Sequence, residues 1–372
     1  MKQIKYYLFM AKYYLECIFN ILFSPFFYYW KKIIPVDKIN TPIHKLNNNF
    51  KIVTLVGDYY QMGYQYGSLM KDDILYNYEL FGNFLNCLES EHMKRIPFIL
   101  KDKDIYKSLD KLYNRCEPYI DKNIKQFIKG MSKSTGIKER KIWNYNLYLS
   151  LMGSHCILYS KKISKKLLHL RTMDYIHDNY KHNLIVFKNE NFIPYSSFYF
   201  TGLIFILTGI NKNKVILDEV YYDEYLSKSL YKSNPYYFKF HKILANSNFK
   251  EEAIKILKEE PRDGNLHIGV SDGNKNESVF LKYCRKFCDY DLILKDNPIF
   301  SFPPDEKSKY EKLLSQKNYS VEEIIRLLSS MRTGEVHSFL YYDNYIYVSI
   351  TSNYIQSYNN DFYKIDLDYL LS

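Results

Sequence analysis

The hydrophobic pattern of this chain changes its period near residue 156, and this change restricts the folds open to it. Before this point apolar residues recur at helical spacing, which predicts helices over four segments: 57–86, 104–116, 119–135 and 138–152. After it, short runs of β-branched and aromatic residues predict strands: 167–170, 184–187, 195–201, 203–208, 215–219, 266–270, 278–282, 338–342 and 346–351. A strand at 51–56 and helices at 236–245, 250–259 and 320–331 complete the prediction. This order of elements predicts β-sheets covered by helices.

Composition limits the classes of partner. With 372 residues and 47% hydrophobic content, the chain can bury the core of one large domain or of two ordinary ones. Its net charge of +11 favours anionic surfaces, such as phospholipid headgroups or nucleic acid. No nucleic-acid-binding module accompanies this charge, so we expect no nucleic-acid partner. The six cysteines show neither a disulfide framework nor a second pair at zinc-like spacing, and we expect reduced thiols and no metal.

The composition of the first 32 residues is typical of a segment that contacts a membrane rather than water. Residues 6–30 are almost wholly apolar and aromatic, interrupted only by Lys12 and Glu16. Their uncharged part, 17–30, contains Pro25 and is shorter than the roughly 20 residues that a spanning helix needs. We therefore expect membrane association through residues 1–32, as an uncleaved anchor or an interfacial helix. The alternative is a hydrophobic helix packed on the domain of a cytoplasmic protein.

A candidate nucleophile stands where the pattern changes. Cys156 is followed, beyond a short basic turn, by Arg171 and Asp174, and this spacing can bring a thiol, a guanidinium and a carboxylate into one pocket. A thiol reacts as the thiolate, and a neighbouring guanidinium raises the reactive fraction. The alternatives are a buried core cysteine and a surface ion pair between Arg171 and Asp174. A papain-like Cys/His pair is a further alternative, although no local signature surrounds Cys156.

Three other patterns accompany this cysteine. Gly57, Gly63 and Gly67 recur at the start of a predicted helix, which by itself indicates a helix face that packs closely on a neighbour. The segment Thr208-Gly209-Ile210-Asn211 is typical of a turn. Asn297 stands beside a predicted strand and directly before a proline, where a plain turn is an alternative.

In this order, the four features resemble the isopenicillin N acyltransferase-like (penicillin acyltransferase) family of N-terminal nucleophile hydrolases, relatives of acid ceramidase and choloylglycine (bile salt) hydrolase. The resemblance extends from about residue 55 to residue 351. It implies an α+β fold of four layers, αββα, with a helical N-terminal segment. The chain then divides into an apolar leader and connector (1–49), a helical pro-segment (50–155) and a catalytic core (156–372).

The resemblance also implies roles for the residues. Members of this family cut their own chain before the cysteine, which places the cleavage between His155 and Cys156 and frees an α-amine as a nearby base. Asp174 would hold this amine. Asn297, together with Asn211, would donate to the oxyanion of the tetrahedral intermediate. Neither a cofactor nor a metal is implied.

We therefore predict an autoproteolytic cysteine amidohydrolase or acyltransferase that forms an acyl-thioester on Cys156. Its substrate would be a small-molecule acyl amide, and the apolar leader favours a lipidic one. The alternative is a catalytically inactive, membrane-attached binding homologue of the same fold. Two departures from the family pattern point to that alternative: Ile157-Leu158 stands where small hydroxyl residues are usual, and Thr172 stands where the family has an asparagine.

Overall fold

Two β-sheets stack face to face in this protein, and helices cover both outer faces. The computed structural model describes residues 2–88, 102, 104–148, 155–174, 180–221, 232–262, 264–295, 297–301, 319–352 and 355–372. The described α-helices are α1 (Lys2–Trp30), α2 (Tyr59–Leu69), α3 (Lys71–Leu88), α4 (Ile105–Cys116), α5 (Lys122–Thr135), α6 (Glu139–Leu147), α7 (Tyr236–Asn246), α8 (Lys250–Glu259), α9 (Val321–Met331) and α10 (Leu367–Leu370).

Sixteen described strands form the two sheets. The first eight are β1 (Ile33–Val36), β2 (Ile43–Lys45), β3 (Phe50–Val56), β4 (His155–Ile163), β5 (Lys166–Asp174), β6 (His182–Lys188), β7 (Tyr195–Phe200) and β8 (Thr208–Asn211). The others are β9 (Val215–Tyr221), β10 (Asn265–Asp272), β11 (Glu277–Cys284), β12 (Cys288–Ile293), β13 (Ile299–Ser301), β14 (His337–Tyr342), β15 (Tyr345–Ile350) and β16 (Phe362–Asp366). One sheet has the order β1-β16-β15-β14-β5-β4-β13, and the other β12-β11-β10-β9-β8-β7-β6-β3-β2.

The alternation of side chains along β4 shows how the layers pack. Ile157 and Tyr159 point away from the second sheet and belong to a buried apolar cluster with Ile324 and Leu328 of α9. Leu158, on the opposite face, belongs to the main core between the sheets. Helices α2, α7 and α8 contact the outer face of the nine-stranded sheet. The αββα layering that the resemblance implies is therefore confirmed.

Strands from before residue 156 belong to both sheets. β1 pairs in parallel with β16, so that Ile33 lies opposite Phe362. β3 pairs in parallel with β6 and stands inside the nine-stranded sheet rather than at its edge. The predicted leader, pro-segment and core are thus successive chain segments that build one layered structure together.

The glycine pattern forms a close crossing between α2 and α5. A Cβ atom added at Gly63 would lie 2.0 Å from the carbonyl oxygen of Phe127, and one added at Gly130 would lie 2.1 Å from that of Tyr60. Both helix backbones can approach this closely only without side chains at the crossing. The prediction of a closely packed helix face is confirmed. The single helix predicted over 57–86 is wrong, because Met70 leaves helical geometry and α3 begins anew with Asp72 and Asp73 in its first turn.

Two further predictions need correction, the strand at 203–208 and the turn at 208–211. Residues 203–206 are irregular, and the segment Thr208–Asn211 forms β8 instead of a turn. All four of its residues are buried, and β8 pairs with both β7 and β9. A short run flanked by pairing partners on both sides gains its hydrogen bonds from the sheet, which local turn propensity does not reveal. The capping box of α9 between Ser320 and Glu323 is present as predicted from the sequence.

Candidate active site

The β4–β5 hairpin brings Cys156 and Arg171 together. Its two-residue turn, Ser164-Lys165, has positive φ at both positions, as the tightest hairpins require. The resulting register places Leu158 opposite Arg171. Side chains two residues apart on one strand share a face, so Cys156 is the diagonal neighbour of Arg171 between the two sheets. The guanidinium donates from Nη2 to Cys156 Sγ at 3.2 Å.

Arg171 is completely buried, and two further strands supply its partners. Nη2 also contacts Glu219 Oε1 of β9 at 3.2 Å, and Nη1 contacts His337 Nε2 of β14 at 2.8 Å. Since a guanidinium can only donate, Nε2 accepts and the imidazole proton is on Nδ1. Burial, with the charge of Arg171 beside it, holds the pKa of His337 well below its usual value. The histidine therefore acts as a neutral acceptor that orients the guanidinium.

Glu219 is placed to exchange a proton near neutral pH. Burial raises the pKa of its carboxyl to about 7, although the charge of Arg171 opposes this shift. At pH values below this the group is a neutral acid beside a cation, and above it the pair becomes fully ionic. A buried carboxyl beside a thiol and a guanidinium can thus accept or release a proton within this cluster.

This carboxyl predicts a pH dependence of stability. The folded pKa of about 7 exceeds the unfolded value of 4.5, so the folded state binds the proton more tightly. The contribution of Glu219 is complete below pH 4.5 and should be lost as pH rises to about 7, by on the order of 3 kcal/mol. Urea unfolding of Glu219→Gln between these pH values should show a flatter curve than wild type. The surface variant Glu259→Gln should follow wild type, and equal slopes for all three proteins would contradict the assignment.

Asp174 lies at the end of β5, directly across from His155. Its Oδ1 accepts from the backbone N–H groups of Gly334 at 2.6 Å and Glu335 at 2.8 Å, and its Oδ2 accepts from Thr333 Oγ1 at 2.9 Å. These donors hold the carboxylate against the 333–335 loop, at the strand position that pairs with His155. Since the partners of Arg171 lie between the sheets, the surface ion pair considered as an alternative is not formed.

The two asparagines predicted to serve the oxyanion lie elsewhere. Asn211 Nδ2 donates to the carbonyls of Leu244 at 2.9 Å and Ser247 at 2.7 Å, so its amide fastens β8 to the end of α7. Asn297 is exposed and precedes β13, whose Ile299 pairs with Ser160. The pairing is antiparallel, which places Asn297 toward the far end of β4 from Cys156. The structure brings neither amide to the thiol.

The departure at Ile157-Leu158 has a structural cause. Ile157 is 1% exposed under α9, and Leu158 is fully buried between the sheets. Both apolar side chains fill the layers on either side of β4, where a small hydroxyl residue would leave a cavity. Thr172 likewise has a local role, because its Oγ1 lies 2.7 Å from Thr333 Oγ1 in the loop that holds Asp174.

Two members of the cluster were not among the predicted site residues. Glu219 follows Asp218 inside an otherwise apolar strand, and two consecutive acids in such a run are a usable signal of a buried polar site. Asp218 in turn contacts His169, whose Nδ1 lies 2.7 Å from Ser160 Oγ. This second network is also completely buried and links the two sheets. His337 carried no comparable signal, because a histidine in a strand is ordinarily a core or rim residue.

Comparisons with known proteins give distant likenesses. No family model matches the chain. Two curated relatives from Dictyostelium discoideum are similar: protein dcd1B is 24% identical over 349 residues, covering 83% of this chain and 70% of the relative. Protein dcd1A is 21% identical over 394 residues, covering 89% of this chain and 87% of the relative.

Two solved structures are also similar. A Caenorhabditis elegans ortholog of N-acylethanolamine-hydrolyzing acid amidase has a TM-score of 0.40 and 18% identity, and the match covers 50% of this chain and 91% of that one. Conjugated bile acid hydrolase from Clostridium perfringens has a TM-score of 0.39 and 12% identity, and the match covers 57% of this chain and 94% of that one. Because all of these similarities are low, we infer the chemistry of the cluster around Cys156 and Arg171 from its own residues.

Proposed function

We propose that the protein is a cysteine N-terminal nucleophile amidohydrolase, which frees Cys156 by cutting its own chain. One observation carries the proposal: Cys156 Sγ lies 3.2 Å from a buried guanidinium, at the start of a strand whose preceding residue, His155, pairs with Asp174. A buried core cysteine needs no such partners, and a buried arginine is costly unless charged and polar groups surround it.

The self-cleavage step follows from this arrangement. Cys156 Sγ attacks the carbonyl carbon of His155, an S–C bond forms, and the C–N bond of the peptide breaks. The nitrogen of Cys156 keeps its hydrogen and gains the thiol proton, which leaves a thioester and a free α-amine. Water then hydrolyses the thioester, so that His155 ends in a carboxylate and the thiol is regenerated. During the attack, Arg171 would stabilise the thiolate.

The same thiol would then act on a substrate amide. The α-amine of Cys156 takes the thiol proton, the sulfur attacks the acyl carbon, and the departing amine receives a proton as the C–N bond breaks. Asp174, which pairs with His155 at the end of the β4–β5 hairpin, would hold the protonated α-amine. The acyl-thioester passes to water in a hydrolase or to another amine in an acyltransferase, and we propose hydrolysis as the simpler outcome.

We propose a small acyl amide with an apolar acyl chain as the substrate. Support comes from the apolar leader, which would bring the domain to a surface where such compounds concentrate. A specific observation favours the second candidate, a binding homologue without activity: neither Asn211 nor Asn297 lies beside Cys156, so the two predicted oxyanion donors are not in position.

Acyl trapping distinguishes the two candidates. Purified protein is incubated with N-acyl amides of increasing chain length, and the released amine is measured together with peptide masses. We expect a hydroxylamine-sensitive acyl group on the peptide that begins at Cys156, and no release by Cys156→Ala. The matched control Cys288→Ala removes another buried free thiol and should act as wild type. A chain that stays intact between His155 and Cys156 and releases no amine from any compound would favour the binding homologue.

A further inference from the structure

Helix α1 is docked on the protein with its polar side inward. Asn20 is completely buried, and its Oδ1 accepts from the backbone of Gln356 at 3.0 Å and from Asn359 Nδ2 at 3.2 Å. One turn later, Ser24 Oγ donates to the carbonyl of Ser329 at 2.5 Å. Directly after the helix, the buried Lys31 Nζ donates to the carbonyl of Ile325 at 2.7 Å. Asn20 and Ser24, four residues apart on one side of α1, and Lys31 after it therefore attach the helix to α9 and the 355–359 segment.

The apolar side of α1 faces outward as a consequence. Its outward stripe, residues 15, 18, 22, 26 and 29, has exposed fractions of 67%, 52%, 70%, 54% and 78%. Ten of the twenty exposed large hydrophobic side chains among the described residues lie in this one helix. Surface helices of soluble proteins show the reverse arrangement, with their apolar residues facing the core. The outward stripe is therefore a surface made for an apolar environment.

The charges around the stripe are of one sign. Residues 1–32 contain five lysines, of which Lys31 is buried against the domain, and one acid. This acid, Glu16, is only 8% exposed and pairs with Lys12 at 3.5 Å. Lys32 is exposed at the end of the helix. Lysines flanking an apolar and aromatic face are attracted to anionic lipid headgroups.

We propose that α1 lies flat in the interface of an anionic phospholipid membrane, with its outward stripe in the acyl boundary and the domain held behind it. The 29 residues of α1 would extend about 43 Å along the surface. No described helix combines the length and apolar character that crossing a membrane requires. Tyr29 and Trp30, exposed at the end of α1, are residue types that settle at the headgroup level.

Tryptophan fluorescence of this chain can report whether α1 contacts lipid. It has two tryptophans: Trp30 is 65% exposed at the end of α1, whereas Trp143 is 3% exposed in α6. In full-length Trp143→Phe protein, Trp30 reports alone. With vesicles of phosphatidylcholine and phosphatidylserine we expect co-flotation and quenching of Trp30 by brominated lipid. Binding to phosphatidylcholine alone should be weaker.

Two matched double variants distinguish binding through the outward stripe from non-specific adsorption to lipid. Leu22→Ser with Phe26→Ser removes two outward side chains without touching the docked polar face, and should lower partitioning about 100-fold. Tyr290→Ser with Ile293→Ser removes two side chains that are 49% and 50% exposed on β12, and should leave partitioning unchanged. Unfolding midpoints verify that both proteins are folded.

Three results would overturn the proposal. One is the absence of binding to either kind of vesicle, and another is binding that persists unchanged in the Leu22→Ser, Phe26→Ser protein. The third is a dimer in sedimentation velocity that this variant dissociates, while lipid binding is absent, since the stripe would then be covered by a second copy.

Discussion

A Cys156→Ala chain should remain a single polypeptide under conditions in which the wild-type chain divides into residues 1–155 and 156–372. Without the sulfur no thioester can form at His155, so the cleavage rate should fall by about 10⁴-fold or more. Cys156→Ser should cleave slowly, because a hydroxyl in the same place is a weaker nucleophile at neutral pH. Intact mass and N-terminal sequencing would measure both.

The control for this experiment is another buried thiol. Cys288→Ala should cleave at the wild-type rate, since Cys288 lies on β12 and is not part of the Arg171 cluster. The self-cleavage proposal would be wrong if wild-type protein stays intact across the pH range in which it is folded, or if Cys156→Ala is cut at the same bond.

Arg171→Met should destabilise the protein by about 3–5 kcal/mol, the cost of leaving one partner of a buried ion pair without the other. Glu219 loses its cation while its side chain stays only 1% exposed. Urea unfolding at pH 8, where Glu219 would be ionised, measures the full effect. Arg140→Met, which breaks a half-exposed pair with Asp110 at 3.4 Å, should cost less than about 1 kcal/mol.

A double variant separates the structural role of Arg171 from its chemical one. Arg171→Met with Glu219→Gln removes both charges and should recover most of the lost stability. Self-cleavage should stay absent, because no cation then stabilises the thiolate. If the double variant regains stability and cleavage together, Arg171 acts only as a structural residue.

The sequence could predict local features well. A single hairpin with a short turn determines the distance between Cys156 and Arg171, and the capping box of α9 lies within four residues. Gly63 was informative for a similar reason, since helix spacing alone shows that it shares a face with Gly67.

Contacts between distant strands could not be predicted in this way. The contact of Arg171 with His337 spans 166 residues of chain and depends on the pairing of β14 with β5. Its contact with Glu219 spans 48 residues and depends on how the two sheets stack. Asn211 illustrates the converse: its local sequence resembles a turn, yet the sheet recruits it as a strand residue and the end of α7 uses its amide. The orientation of α1 was likewise hidden, because an almost wholly apolar segment does not show which of its sides docks on the domain.

The pairing of β3 with β6 and of β1 with β16 has a consequence for the cleaved protein. Each pair joins a strand from before residue 156 to one from after it, and β3 has neighbours on both sides. Once the peptide bond before Cys156 is broken, the two pieces would be subunits of a heterodimer that dilution cannot separate without unfolding. Refolding from denaturant would then become a second-order process that depends on protein concentration, whereas the uncut chain would refold at a rate independent of it.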